Sequence, residues 1–468
     1  MKQQNNMQKL NSEIYNILKR FPYIIKKLFS KQYSDLFFKC EIETLNKKYY
    51  PELVKKNKPE NILFINSLVG KGGAAKIAYD SLCVPLKLRN YKTSILTSKN
   101  YYPINSDIIE FIDHCSKERK FLYKAEKKDN LLDFYQHESL KIKDLKVFKD
   151  CDVMHINNLH GNFFNPYALP QLTALKPTIW TLHDYHSFTG YCTVKYDCEK
   201  WQSGCLECPY LSKLGLKDTA NYIWKIKKQI YQNSDITVVC PSNWLKNKAE
   251  KSILSHFDIR LINHGVDANK FKNYGKENTR KELNLPFDKQ ILLFSSDFGM
   301  ENPNKGGMYL KQAYEYFKNR EDVLFLIIGG DKNTQLANNV INISYIFDEI
   351  QIAKYYSAAD LFIYPSLADS FGLVVAEAMA CELPVITFET GGIPEILKHE
   401  EHGYIAKQKD IKDFIKGIEL FIENPDLKLK ASLIARETIE RKFNIDKMID
   451  TYTQLYDEVF EKRKQVKK

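Results

Sequence analysis

The chain has 468 residues, of which 44% are hydrophobic and 13% are aromatic. This composition excludes a disordered protein, and the length predicts two domains rather than one. No apolar run approaches the ~18 residues of a membrane-spanning helix. The N-terminus lacks the apolar core of a signal peptide, and the ten cysteines suit a reducing compartment. We therefore expect a cytoplasmic protein.

The net charge of +11 is concentrated near the N-terminus. Residues 1–58 hold 13 Lys and Arg against 5 Asp and Glu, a surplus of 13 − 5 = 8. These lysines lie among Ile, Phe and Leu, a mixture suited to an anionic membrane surface on the inner face of the plasma membrane. A helix packed on the following domain is the alternative. No nucleic-acid-binding module accompanies the charge, so we expect no nucleic-acid partner.

Strand-like runs alternate with helical stretches through the first half of the chain, which predicts a parallel, doubly wound sheet. The candidate strands are residues 61–67, 92–98, 152–158, 177–184 and 235–242.

The same pattern restarts after a polar, turn-rich segment near residues 265–288. The second set of candidate strands is 290–296, 323–330, 340–346, 360–366 and 383–388. We therefore predict an α/β protein with two doubly wound, Rossmann-like domains that face a cleft, which is the default ligand site. The predicted segments are an amphipathic extension at 1–58, domains at 59–267 and 268–445, and a helix at 446–468.

The stretch "LVGKGGAAKIA" places Gly70, Gly72 and Gly73 between the first strand and its helix. Backbone N–H groups at such a turn attract phosphate, and glycines allow a close approach. A tight structural turn is the alternative. A nicotinamide site would need a carboxylate after the second strand, where the chain has Lys99. A dehydrogenase is therefore disfavoured.

Asp369 and Glu377 bracket an apolar run that predicts the start of a buried helix. Asp369 can be an N-cap. Glu377 can lie on an exposed helix face, form a buried ion pair, or accept hydrogen bonds from a ligand diol such as a ribose. In this last interpretation Asp369 and the N–H groups of Ser370, Phe371 and Gly372 face a sugar and its phosphate.

The stretch "ADSFGLVVAEAMACELPVITFETGGIPEIL" resembles the donor-site signature of the retaining GT-B glycosyltransferases of family four, the glycosyl transferases group 1. That signature has two glutamates separated by seven residues. The stretches "GKGGAAKIA", "VVCPSNWL" and "NPNKGG" are similar to further landmarks of the family. The stretch "LHDYHSFTGYCTVKYDCEKWQSGCLECP" resembles a subgroup associated with bacterial capsule, exopolysaccharide or O-antigen (lipopolysaccharide) assembly.

The resemblance implies a role for each matching residue of the cleft. It makes 59–267 the acceptor domain and 268–445 the donor domain, with the last helix crossing back to the first. Asp369 and His183 are the residues expected beside the reacting sugar. The implied donor contacts are Glu377 on the ribose, Asp369 on a sugar hydroxyl, and Gly72, Gly73 and Lys305 on the diphosphate.

The implied activity is transfer, with retention of configuration, from a UDP- or GDP-sugar to a glycan or lipid-linked acceptor. No catalytic metal or other cofactor is expected. The chain departs from the family at Asp369, where a glutamate is usual, and after the strand at 290–296, where an arginine is usual. These departures favour an alternative, a non-catalytic subunit that binds a nucleotide-sugar.

Four cysteines fall within 17 residues, with the spacing C-x5-C-x6-C-x2-C. Four thiolates can close a structural zinc site, and the last pair is a usual half-site. Reduced packing cysteines or a disulfide pair are the alternatives. A zinc ion would brace the loop after His183, and its ligands would be Cys192, Cys198, Cys205 and Cys208.

Overall fold

The structure is a computed structural model that describes residues 56–103, 105–112, 116–194, 197–330, 334–337 and 339–465. The predicted extension at 1–58 therefore lies outside the described residues, apart from its last three. Every helix in the described part of the chain is too short or too polar to cross a bilayer.

The first half of the chain forms a seven-stranded parallel sheet of order β5-β3-β1-β6-β7-β8-β9. Strands β2 and β4 pair separately beside it. The strands are β1 (Asn61–Ile65), β2 (Leu68–Val69), β3 (Lys92–Thr97), β4 (Lys99–Asn100), β5 (Ile108–Glu110), β6 (Val153–Ile156), β7 (Thr178–Thr181), β8 (Thr237–Cys240) and β9 (Asp258–Leu261).

Helices cover both faces of this sheet. The first, α1, runs over residues 73–88 and contains a π-helical segment at Lys76–Cys83. Single π-helical segments inside α-helices are frequent at functional sites. The others are α2 (Lys117–Asp129), α3 (Lys146–Asp150), α4 (Leu169–Leu175), α5 (Pro209–Lys213), α6 (Ala220–Gln232) and α7 (Asn243–Ala249), with 3-10 turns at Glu138–Asp144, Pro166–Ala168 and Lys200–Gln202.

The second sheet has the order β12-β13-β11-β10-β14-β15-β16, and only the pairing of β12 with β13 is antiparallel. Its strands are β10 (Gln290–Ser295), β11 (Val323–Gly330), β12 (Thr334–Ala337), β13 (Val340–Ser344), β14 (Leu361–Tyr364), β15 (Val385–Phe388) and β16 (Gly403–Ala406). Its helices are α8 (Lys276–Glu282), α9 (Gly307–Phe317), α10 (Glu349–Ala358), α11 (Leu373–Ala380), α12 (Ile393–Ile396), α13 (Ile411–Glu423) and α14 (Pro425–Lys442), with a 3-10 turn at Gly299–Glu301.

The last helix, α15 (Ile445–Gln465), packs against the first sheet rather than the second. Its apolar residues recur at helical spacing and form one buried stripe. Two tyrosines of that stripe reach buried polar groups of the sheet: Tyr452 bonds Thr181, and Tyr456 bonds His155 at 2.7 Å. The helix therefore ties the end of the chain to the first domain.

The predicted fold class is confirmed, because both halves are doubly wound sheets with strands buried on both faces. In each sheet the strand order reverses beside the first strand, between β1 and β6 and between β10 and β14. Ligands of doubly wound sheets bind beyond the carboxyl ends of the strands at this reversal. The glycine loop follows β1, Asp297 follows β10, and Asp369 follows β14, so all three lie at these reversals.

Candidate active site

A cavity of about 280 Å³ lies between the two domains. The loop after β1 and helix α1 form one wall, and the loops after β10, β13 and β14 together with α11 form the other. Five residues predicted from the sequence line this cavity: Gly72, Gly73, Lys305, Asp369 and Glu377. The fold thus brings together residues that are up to 305 positions apart, since 377 − 72 = 305.

The glycine loop presents its backbone to the cavity. Gly72 has a φ of +90°, a conformation that an L side chain rarely adopts. A Cβ atom built on Gly72 or Gly73 would meet no other atom within 4 Å, so the space in front of both residues is open. The N–H of Gly72 donates to the Tyr345 hydroxyl at 3.4 Å across the cleft. The loop therefore offers room and backbone N–H groups to an anion.

Asp369 is held from two sides. Its Oδ2 accepts from Lys305 Nζ at 2.6 Å and from the Tyr364 hydroxyl at 2.9 Å. Its Oδ1 accepts from the N–H groups of Gly372 at 2.8 Å and of Phe371 at 3.4 Å. Burial acts to raise the pKa of Asp369, but Lys305 outweighs it and the pKa is lowered. The carboxylate is therefore ionised, and it already occupies two of the N–H groups predicted to face a phosphate.

Glu377 is 3% exposed and lies on α11. Its Oε1 is 2.5 Å from Lys76 Nζ, which also lies 2.9 Å from Glu349. Burial acts to lower the pKa of Lys76, but Glu377 and Glu349 outweigh it and the pKa is raised. The structure thus shows the buried ion pair that the sequence left open as an alternative. Because Lys76 belongs to α1, this ion pair joins the two domains.

His183 does not line the cavity; it lies beside the loop that carries Asp369. Its Nε2 is 2.9 Å from Asn157 Oδ1, and its carbonyl accepts from Ser370 Oγ at 2.6 Å. Burial lowers the pKa of His183 to about 4, so the ring is neutral at pH 7. The Phe371 side chain is buried against His264. His183, Ser370, Phe371 and Gly372 thus support the cavity wall from outside.

Sequence reasoning missed two lysines from the first domain. Lys76 lies in the first turn of α1, where the helix dipole disfavours a positive charge. A lysine at such a position indicates an acidic partner, and this signal could have been used. Lys71 Nζ lies 3.1 Å from Asp297 Oδ1 and 5.2 Å from the Tyr345 ring centre. An acidic residue therefore follows β10, where the family resemblance led us to expect an arginine, and a lysine from the opposite domain pairs with it.

The four clustered cysteines line a second, very small cavity of about 20 Å³ beside Trp201. No disulfide joins any two of these four cysteines in the structure. Across the described residues, no group of three or more His, Cys, Asp or Glu side chains is arranged to hold a metal ion. The zinc site therefore remains a prediction without structural support.

Residues 275–438 match the family described as glycosyl transferases group 1. The chain is 25% identical over 244 residues to N-acetyl-alpha-D-glucosaminyl L-malate synthase of Bacillus anthracis, a match that covers 50% of this chain and 62% of that protein. It is 25% identical over 277 residues to the putative colanic acid biosynthesis glycosyl transferase WcaC of Escherichia coli, covering 56% and 66%. The chain spans only about half the length of several other curated relatives, down to 43%.

Solved structures match nearly the whole described chain. Sucrose-phosphate synthase from Thermosynechococcus elongatus has a TM-score of 0.66 at 20% identity and covers 86% of this chain and 99% of its own. Anabaena HepE in complex with UDP has a TM-score of 0.58 at 16% identity and covers 84% and 99%. At such identities the likeness concerns the fold alone. The second domain therefore belongs to the glycosyl transferases group 1 family, and the chain has the GT-B fold of these glycosyltransferases.

Proposed function

We propose that the chain is a retaining, metal-independent glycosyltransferase that moves a sugar from a nucleotide-diphosphate sugar to a glycan or lipid-linked acceptor. The observation that carries this proposal is the cavity between the domains, where Lys305–Asp369 and Lys76–Glu377 lie with the glycine loop. A nucleotide-sugar has the matching groups: a diol, a diphosphate and a sugar with several hydroxyls.

In this proposal the donor replaces ion-pair partners that the cleft residues have in the structure. The ribose hydroxyls take over Glu377 Oε1 from Lys76, and a carboxylate accepts such hydrogen bonds strongly. Lys305 and the N–H groups of Gly72 and Gly73 face the diphosphate. Asp369 holds a hydroxyl of the donor sugar. The exchange at Glu377 does not leave Lys76 without a partner, because Lys76 Nζ also lies 2.9 Å from Glu349.

Retention of configuration requires the acceptor hydroxyl to attack from the face that the diphosphate leaves. A phosphate oxygen takes the acceptor proton, and Lys305 stabilises the charge that develops on the leaving group. His183 is neutral at pH 7 because burial lowers its pKa to about 4. In this proposal His183 positions the Asp369 loop, because its carbonyl accepts from Ser370 Oγ and its ring is held by Asn157.

The names of two relatives support a role in bacterial surface polysaccharide assembly, which we propose takes place at the cytoplasmic face of the membrane. The relatives include the colanic acid protein of E. coli and the putative teichuronic acid biosynthesis glycosyltransferase of Bacillus subtilis. Because HepE is in complex with UDP, UDP-sugars come first in a test, with GDP-sugars next. A non-catalytic nucleotide-sugar-binding subunit is the second candidate, and Asp297 at the end of β10 favours it.

The proposal predicts donor-dependent stabilisation. In a panel of UDP-, GDP-, ADP- and dTDP-sugars, one nucleotide class should raise the melting temperature of the chain. A ligand at 100 times its Kd adds about 2.7 kcal/mol to the free energy of unfolding. Release of free nucleotide diphosphate on adding acceptor lipid extract, with NMR of the product anomer, would then separate an enzyme from a binding subunit. Binding without any release would favour the subunit, and no binding at all would contradict both.

A pH dependence of donor binding follows from Asp80, which lines the same cavity. Burial, with a contribution from Glu349, raises the pKa of Asp80 to about 6. Its carboxyl group is therefore neutral below pH 6 and negative above it, where it repels a diphosphate. We expect the donor Kd to rise several-fold between pH 5 and pH 7 in the wild type and to change less in Asp80→Asn. Asp107→Asn, outside the cavity, is the control; identical pH profiles for Asp80→Asn and wild type would contradict the prediction.

A further inference from the structure

The described lining of the cavity between the domains carries more negative than positive charge. Five carboxyl groups accompany two lysines, a formal charge of 2 − 5 = −3. A nucleotide-diphosphate sugar is itself an anion, and a cavity lined by charge of the same sign disfavours it. The donor therefore needs a further cation at the edge of this cavity. The acids are Asp80, Asp297, Glu349, Asp369 and Glu377, and the lysines are Lys76 and Lys305.

Lys71 places such a cation at that edge. Its Nζ lies 3.1 Å from Asp297 Oδ1, and it lies 5.2 Å and 5.4 Å from the ring centres of Tyr345 and Phe298. Asp297 and Tyr345 both line the cavity. A cation over an aromatic face is attracted by the ring as well as by the carboxylate. Three side chains of the second domain thus hold an ammonium group that the first domain contributes.

The backbone on both sides of the cleft supports this contact. Lys71 precedes Gly72, whose N–H donates to the hydroxyl of the same Tyr345. Phe298 has a φ of +66°, a conformation that a bulky side chain rarely adopts. This conformation occurs directly after Asp297, so a ring and a carboxylate reach the lysine from adjacent positions. Two segments that are distant along the chain therefore meet around one ammonium group.

The ion pair leaves Lys71 able to bind a second anion. An ammonium group has three N–H donors, and Asp297 contacts it through Oδ1 alone within salt-bridge distance. The Lys71 side chain is 28% exposed. Because Lys71 adjoins Gly72 in the chain, an anion at the N–H groups of the glycine loop comes close to this ammonium group.

We propose that Lys71 binds the diphosphate of the donor from the first domain and that Asp297 positions it there. The inference rests on the proposed function and deepens it. Because Lys71 and Asp297 belong to different domains, the leaving group is fully neutralised only when the two domains are in contact. The competing explanation is that Lys71 and Asp297 are a latch that holds the domains together without touching the donor.

The first test compares nucleotides with two phosphates and with one. The probes for titration calorimetry are UDP, GDP, ADP and dTDP, each with its monophosphate. For the nucleotide that binds the wild type, we expect Lys71→Met to weaken diphosphate binding by about 10- to 100-fold, the usual effect of losing a hydrogen bond to a charged group. The monophosphate lacks one of the two phosphates, so its affinity should change much less. A latch would change the affinity of both nucleotides equally or of neither.

The second test moves the cation to the other domain. Lys71→Met with Asp297→Lys places a lysine at the end of β10 and removes the one in the glycine loop. This double variant should regain most of the diphosphate affinity that Lys71→Met loses, although it cannot form the ion pair between the domains. Lys71→Arg should stay close to the wild type, since it keeps the charge and the contact with the rings.

Lys99→Met is the matched control. Lys99 also belongs to the first domain, and its Nζ lies 4.6 Å from the Tyr101 ring centre, but it lies outside the cavity lining. It should bind both nucleotides like the wild type. An unchanged melting temperature for each variant would show that it is folded.

The possible failures are distinguishable. If Lys71→Met bound diphosphates like Lys99→Met while Glu377→Gln lost affinity, the inference would be wrong and the proposed function would stand. Equal losses for both nucleotides, without recovery in the double variant, would assign Lys71 and Asp297 to a latch. If the wild type bound none of the nucleotides, the proposed function and this inference would both be wrong.

Discussion

Replacing Glu377 with glutamine is expected to weaken donor binding by about 10- to 100-fold, or ~1.4–2.7 kcal/mol. The reason is that a carboxylate accepts two charge-assisted hydrogen bonds from a ribose diol, whereas an amide accepts neutral ones and turns an N–H group to one hydroxyl. Titration calorimetry with the nucleotide-sugar that stabilises the wild type measures the change.

The Glu377→Gln variant also loses an ion pair, because Glu377 neutralises Lys76 in the structure. Removing one partner of a buried pair is destabilising in itself. The double variant Glu377→Gln with Lys76→Met removes both charges and should regain stability but not donor affinity. Glu382→Gln is the matched control, since Glu382 follows the same helix outside the cavity and bonds Asn273. Wild-type affinity in Glu377→Gln would make Glu377 a structural residue whose partner is Lys76.

The fold could be predicted from the sequence because its central strands are continuous apolar runs. All ten strands predicted from such runs occur, and β11 is buried over seven of its eight residues. The strands that were missed lie towards the edges of the sheets. Of these, β9 reads "DIRL" and is only half-buried, and β12 reads "TQLA". Edge strands have a neighbour on one side only, so their sequences need not be apolar.

The sequence predicted only the part of the candidate site whose residues lie close to one another along the chain. Asp369 and Glu377 were visible because they interrupt one apolar stretch. Lys76 and Lys71 were not, because their partners lie 301 and 226 positions away, from 377 − 76 and 297 − 71. Single-sequence patterns report which face of an element is buried, but not which element of another domain meets it.

The same limit explains why the position of the His183 ring relative to the cavity could not be predicted. The sequence placed His183 inside the candidate strand at 177–184, whereas in the structure it follows β7, which ends at Thr181. Its orientation depends on Asn157 from a neighbouring strand end and on Ser370 from the other domain. Both contacts are long-range, so the sequence could suggest a position near the reacting sugar but not that the ring lies behind the cavity wall.

Replacing Lys305 with methionine is expected to lower kcat by about 100- to 1,000-fold, the range observed when one group that stabilises a developing negative charge is removed. Among the described residues that line the cavity, Lys305 is the lysine from the second domain. Its Nζ lies 2.6 Å from Asp369 Oδ2. Loss of the lysine therefore removes the positive charge beside the leaving diphosphate. It also leaves the Asp369 carboxylate without its ion-pair partner, and that carboxylate would repel the diphosphate. Both effects raise the barrier to bond breakage.

Two further variants separate these effects. Lys305→Met with Asp369→Asn removes the freed carboxylate, so any activity it recovers measures the repulsion alone. Lys311→Met is the matched control, because Lys311 lies on the adjoining helix α9 and pairs with the exposed Glu301. Initial rates of nucleotide diphosphate release, at donor concentrations well above KM, give kcat for each protein. If Lys305→Met turned over like Lys311→Met, the diphosphate charge would have to be balanced from the first domain, and Lys71 and Lys76 would be the next lysines to replace.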